Sequence, residues 1–189
     1  MPTKVYLAGP EVFLANAREI LDLKIALTRE AGLVPVTPGD LTPPKLESPG
    51  DLGTAISGID ETLMDSADAI IANLTPFRGI CADPGTCFEL GYMCAQGRPA
   101  FAYTNMRADN AERTRVFYGG ATMRDTDGVE RGPDGVMIED MGFVDNLMLH
   151  GGVLRRGGVV IVGDAAPDRL YTDMAAFRAV LAAAAAKLR

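Results

Sequence analysis

The stretch Ala69-Ile70-Ile71-Ala72-Asn73-Leu74, followed by Asp83-Pro84-Gly85-Thr86-Cys87-Phe88-Glu89-Leu90-Gly91-Tyr92-Met93, decides the fold. A short uninterrupted apolar run reads as a strand buried on both faces, as in a parallel sheet covered by helices. A turn from Thr75 to Asp83 then leads into a helix expected from about Thr86 to Gln96. Strand, loop, helix is half of a βαβ unit, and in open α/β sheets ligands bind at the carboxyl ends of the strands. Asp83 falls on that loop. Glu89 is read in the first helical turn, where the positive end of the helix favours an ionised carboxylate. Its neighbours Phe88, Leu90 and Met93 are apolar, so the charge needs either a partner or a chemical task. Thr86-x-x-Glu89 also has capping-box spacing, with Thr86 as N-cap. The residues alone leave both readings open.

Working outward, Lys4–Ala8 reads as the first strand, ending in Gly9-Pro10. Helical periodicity runs from Phe13 to Ala31. Leu33–Val36 is a second strand, with Pro35 marking an edge position. Thr37–Asp51 has the composition of a loop, long enough to serve binding. A helix from about Leu52 to Ser66 precedes the Ala69 strand. Pro99–Tyr103 and Val159–Val162 supply the fourth and fifth strands, and an Ala-rich helix over about Leu170–Leu188 closes the chain. The alternation predicts one domain over residues 1–189: a flavodoxin-like, Rossmann-type five-stranded parallel sheet with helices on both faces. Gly-x-Gly-x-x-Gly is absent after the first strand, which removes the dinucleotide fingerprint. Residues 104–158 break the alternation, and a hairpin or short helices are expected there, covering the site or facing a second subunit.

Composition narrows the function. A net charge of −7 argues against a nucleic-acid partner, which needs a basic face. No apolar run approaches membrane-spanning length, and Met-Pro-Thr-Lys-Val-Tyr enters a strand with no charged-then-apolar leader. A cytoplasmic protein without membrane contact is expected. Cys81, Cys87, Cys94 and the single His150 do not match common zinc spacings, so no metal is expected. Cys87 and Cys94 read as small core residues on one helix face.

The Asp83-Pro-Gly-Thr-Cys-Phe-Glu89-Leu-Gly-Tyr element, with Ala67–Pro76 before it, resembles the nucleoside 2-deoxyribosyltransferases. Tyr6-Leu7-Ala8-Gly9-Pro10-Glu11-Val12-Phe13 and Asp145-Asn146-Leu147-Met148 look like the same family. The resemblance spans about residues 4–163. It implies a cofactor-free enzyme that moves 2-deoxyribose between nucleobases by a ping-pong route, with slow hydrolysis when no acceptor base is present. Its ligands are a 2′-deoxynucleoside and a free base.

Glu89 matches the family nucleophile, a carboxylate that forms a covalent glycosyl ester. Tyr6 matches the residue that orients it, and Asp60 falls where the family keeps a base-contacting carboxylate. Asp83 resembles the residue that holds the sugar hydroxyls with an asparagine from a neighbouring subunit, which Asn146 matches. A homo-oligomer is therefore implied. Phe13 and Met148 match base-pocket positions, and Gly9 and Gly85 complete the substrate-binding candidates. Taken without the resemblance, Asp60 reads as a helix-face acid, Asp83 as a turn former and Asn146 as an N-cap. Tyr6 then reads as a strand tyrosine and Phe13 as core.

Two departures stand out. Asn73 occupies a position where many relatives carry an acid. The terminal carboxylate that some relatives use is not carried over to Arg189, because this chain ends on a helix. An alternative chemistry is hydrolysis of a nucleotide N-glycosidic bond, as in deoxynucleoside-monophosphate hydrolases or phosphoribohydrolases. A further alternative is a non-catalytic nucleotide sensor on the same fold.

Overall fold

The computed structural model describes residues 2–188; the terminal carboxylate of Arg189 lies outside them. Five parallel strands form the main sheet: β1 (Lys4–Ala8), β2 (Val34–Val36), β3 (Ala69–Asn73), β4 (Ala100–Thr104) and, last in the chain, β7 (Val160–Val162). Their order is β2-β1-β3-β4-β7, the flavodoxin-like order, with Pro35 on an edge strand as its missing N–H requires. The sequence switches direction across the sheet between β1 and β3, which puts a crevice above their carboxyl ends.

Alternation along each strand decides which helix it meets. Tyr6, Ala8, Ile70, Ala72, Ala100 and Ala102 face Leu63, Met64, Leu90, Met93, Cys94 and Val153. These come from α2 (Pro49–Ser66), α3 (Pro84–Ala95) and α5 (Leu147–Arg155). Val5, Leu7, Ile71, Phe101 and Tyr103 face Leu27, Phe177, Val180, Leu181 and Ala184 on the opposite side. Those belong to α1 (Ala17–Glu30) and α6 (Ala175–Leu188). Small alanines on the first face let α3 approach the sheet closely. Cys94 is buried and Cys87 packs against the same cluster, as core residues would.

Four boundaries differ from expectation by two residues or more. α2 starts at Pro49 rather than Leu52, because Ser48 is its N-cap and accepts from the Asp51 N–H. Phe13 does not open α1. It ends a 3-10 turn over Pro10–Phe13, and the helix begins at Ala17. The last helix starts at Ala175 after a separate 3-10 turn at Pro167–Arg169. α3 starts at Pro84, two residues early, because Asp83 rather than Thr86 is its N-cap.

Residues 104–158 fold into α4 (Asn110–Phe117), an antiparallel pair of β5 (Met123–Arg124) and β6 (Glu130–Arg131), and α5, so both expected kinds of element occur. No helix among the described residues is long and apolar enough to cross a membrane.

Candidate functional site

The cap of α3 sets the geometry of the site. Asp83 has the extended backbone of an N-cap, and its Oδ2 accepts from the Thr86 N–H at 2.9 Å and the Thr86 hydroxyl at 3.1 Å. Pro84 follows at the first helical position, where its lost N–H has no helical partner to forgo. Glu89 therefore lies in the second turn, and the capping box read for Thr86 and Glu89 does not form. Its side chain is released toward β1, where the buried Tyr6 hydroxyl donates to Glu89 Oε1 at 2.7 Å.

The electrostatics differ accordingly from those of a first-turn acid. Burial pushes the Glu89 carboxyl up to about 7, against the lowering effect of the Tyr6 hydrogen bond. The charges of Asp60, Asp83 and Glu11 push it further in the same direction. Tyr6 is driven well above the usual phenol range, first by burial and then by Glu89, so it stays a donor. Desolvation also raises Asp60. A carboxyl titrating near neutrality is matched to chemistry at physiological pH.

Glu89 and Asp60 line one cavity of about 330 Å³ between α2 and α3, with Gly53, Ile56, Ser57, Met64, Gly85 and Phe88. Among the described residues, its only charged lining residues are these two acids. Gly53, Ile56, Ser57 and Met64 share the Asp60 face of α2 by their helical spacing, whereas Phe88 comes from α3 and is brought to them only by the fold.

The other expected site residues divide. Asp83 caps α3 and does not line the cavity, although its neighbour Gly85 does; among the described residues its Oδ1 has no protein hydrogen-bond partner. Phe13 is not core: it is exposed and stacks on Phe77 at 5.2 Å, with the Arg78 guanidinium over both rings. Gly9 makes room for the chain's own carboxylate, since a Cβ there would sit 2.0 Å from Glu11 Oε2. Asn146 caps α5, its Oδ1 accepting from Met148 N at 3.0 Å and its Nδ2 donating to Glu139 at 2.8 Å. Met148 is exposed and lines a different cavity, between α3 and α5. Within one chain, neither Asn146 nor Met148 lines the Glu89 cavity.

A buried polar cluster went unseen in the sequence. Glu11 Oε1 accepts from Lys24 Nζ at 2.8 Å, Asn73 Nδ2 at 2.8 Å and the Tyr103 hydroxyl at 2.9 Å. Glu11, Lys24 and Asn73 are all essentially inaccessible. The ion pair compensates two charges that would each be costly alone. Asn73 is thus committed to the framework: its Oδ1 takes both the N–H and the hydroxyl of Thr75. A glutamate and a lysine 13 residues apart give no periodic signal. Among the described residues no group of three or more His, Cys, Asp or Glu is arranged to hold a metal.

A flavodoxin-like sheet with a neutral-range glutamate in an acid-lined cavity beside α3 defines the class, an α/β protein with a carboxylate-centred site. The comparisons then place it. Residues 5–148 match the nucleoside 2-deoxyribosyltransferase family, and the chain belongs to that family. It is 34% identical to an uncharacterised protein of Schizosaccharomyces pombe over 195 residues, 97% of this chain and 89% of the relative. It is also similar to the solved 2-desoxiribosyltransferase from Leishmania mexicana, with a TM-score of 0.59 and 30% identity over 79% of this chain and 86% of that one. A conserved protein from Enterococcus faecalis V583 shares the fold, with a TM-score of 0.54 and 18% identity over 90% of this chain and 96% of the other. The family assigns the chain to enzymes of the nucleoside deoxyribosyltransferase type, acting on an N-glycosidic bond.

Proposed function

We propose that this chain transfers 2-deoxyribose between nucleobases through a covalent ester on Glu89. The observation that carries the reading is Glu89 itself: half-buried, oriented by Tyr6, and titrating near neutrality in a cavity shared with Asp60. The ionised Glu89 attacks the anomeric carbon as the bond to the base nitrogen breaks. Glu89 Oε2 is the attacking atom, because Oε1 is engaged by Tyr6. Asp60, whose protonated form desolvation favours, gives its proton to the departing base. An incoming base then displaces Glu89 from the vacated face and returns a proton to Asp60, giving net retention. Water in place of the base gives slow hydrolysis.

Asp83 Oδ1 and Asn146 hold the sugar hydroxyls in this scheme. Because Asn146 lies outside the cavity of its own chain, it serves the site of a second copy, and the site is complete only in a homo-oligomer. Among the described residues no basic side chain lines the cavity, which favours a neutral deoxynucleoside over a phosphorylated one. No cofactor enters the scheme.

A base-exchange assay tests the proposal. The protein incubated with 2′-deoxyinosine and adenine is expected to form 2′-deoxyadenosine, at a rate that falls about tenfold per pH unit below about pH 7 as Glu89 is protonated. Hypoxanthine release without exchange would move the assignment to hydrolysis. No turnover of either kind would overturn the reading.

A further inference from the structure

Asp145 and Arg113 form a buried pair outside the Glu89 cavity, and their contacts reach two of the residues that act on the sugar in the proposed scheme. Asp145 is inaccessible and Arg113 is 7% exposed. Asp145 Oδ2 accepts from the Ala82 N–H at 2.8 Å, and Oδ1 accepts from the Asn146 N–H at 2.8 Å. Ala82 immediately precedes Asp83. One carboxylate thus grips the backbone next to Asp83 and the backbone of Asn146, 63 positions apart for the Ala82 contact.

The Arg113 guanidinium lies 3.6 Å from Asp145 Oδ2 and spends its donors on three separate stretches of chain. It donates to the carbonyls of Ile80 at 2.7 Å, Ala108 at 2.6 Å and Val144 at 2.7 Å. Ile80 belongs to the loop that precedes α3, Ala108 to the entry of α4, and Val144 to the segment that carries Asn146. A planar fork with five donors suits this task, whereas a lysine presents a single point.

Such a pair is an expensive way to stabilise a fold. Burial raises the Asp145 carboxyl and lowers the Arg113 guanidinium, in each case against the pull of the partner. Apolar residues of similar volume commonly do as well or better for stability. What they cannot do is fix two loops in one register through directed hydrogen bonds.

We infer that Asp145, oriented by Arg113, is a positioning residue that sets Asp83 in its own site and Asn146 in the site of the neighbouring copy. This rests on the proposed function for its substrate and on its own geometry for the coupling. The two loops would share one mechanical support, so disturbing it acts on the sugar side of the reaction and leaves the acceptor base alone.

The test uses Asp145→Asn in the full chain, with two readouts. The first is steady-state exchange: KM for 2′-deoxyinosine should rise at least about tenfold while KM for adenine stays within about twofold. The second is hydrogen exchange read on peptides covering Ala82 and Asn146. Both should exchange faster in step, with peptides from β1 and β4 unchanged. The hydrogen-exchange arm needs no turnover, so a failure of the transferase reading and a failure of this inference remain separate. A variant that loses cooperative unfolding is replaced by Arg113→Lys, which keeps the charge and loses the fork, and the same outcomes are read. Unchanged KM values, a fall in kcat alone, equal rises for both substrates, or loosening of only one loop would overturn the inference.

Discussion

Helix α3 separates two cavities of opposite character. On the α2 side lies a space of about 330 Å³ whose charged lining is Asp60 and Glu89. On the α5 side lies a groove of about 990 Å³ lined by Cys87, Leu90, Cys94, Phe143, Leu147, Met148 and Leu154, with Arg155 and Arg156 at its margin. Among the described residues the larger space is lined by no acid and by no nucleophile with a lowered pKa; burial pushes the Cys87 thiol up to about 12. What sets the smaller space apart is not its size but a carboxyl held near neutrality by burial and aimed by a hydroxyl. The larger groove has the other signature, exposed apolar side chains such as Met148 and Leu154 beside Asn146, as expected of a face that meets another chain.

Substitutions on the two sides of α3 should separate these roles. The largest effect is expected for Glu89→Ala, which removes the proposed nucleophile and should lower base exchange by at least about a thousandfold. Retained exchange would return the smaller cavity to a structural role. Next is Met148→Arg on the opposite side. If the proposed homo-oligomer forms through this groove, placing a charge there should dissociate it, measured by light scattering, and cost roughly a hundredfold in exchange through loss of Asn146 from the neighbouring site. A variant that keeps its mass and activity would show that the groove is no interface.

Tyr6→Phe should cost about tenfold, the worth of one hydrogen bond to a charged group. Because that bond lowers the Glu89 carboxyl, its loss should also move the acid limb of the rate profile to higher pH. An unmoved limb would mean that Tyr6 does not tune Glu89.

The smallest effect is on stability. Glu89 titrates above its unfolded value, so between the ordinary glutamate range and about pH 7 the folded state binds the extra proton, and stability falls as pH rises through that window. Glu89→Gln, which keeps an acceptor for Tyr6, should therefore be more stable than the parent above pH 7. The gain is about 1 kcal/mol after the cost of an unpaired amide, and it should vanish below the ordinary glutamate range. Denaturant melts at pH 8 and pH 4 check the sign, and a gain that grows on acidification would refute it.

The sequence carried the sheet well because strand burial is written locally. Ala69–Asn73 is buried on both faces and reads as an apolar run; Lys4–Ala8 was delimited to the residue. The start of α3 was missed by two residues for a definite reason. Thr86-x-x-Glu89 and Asp83-Pro84 are competing start signals, and the stronger cap, with proline behind it, prevailed. That small shift matters, since it turns Glu89 from a capping residue in the first turn into a free carboxylate facing Tyr6. Met148 illustrates the opposite case. The resemblance placed it at a base pocket, while its own chain puts it on the far side of α3 from Glu89.

By itself the sequence determined the five parallel strands and most of the helices around them, nominated Tyr6, Asp60, Asp83 and Glu89 through the resemblance, and pointed to the family. Hydrophobic period, turn chemistry and motif spacing are properties of neighbours along the chain. Only the tertiary structure decided the rest: the union of Asp60 with Glu89, the rise of Glu89 to neutrality, the Glu11–Lys24 cluster and the Asp145–Arg113 grip. Each depends on which side chains lose water together, and burial is fixed by contacts between residues distant in sequence.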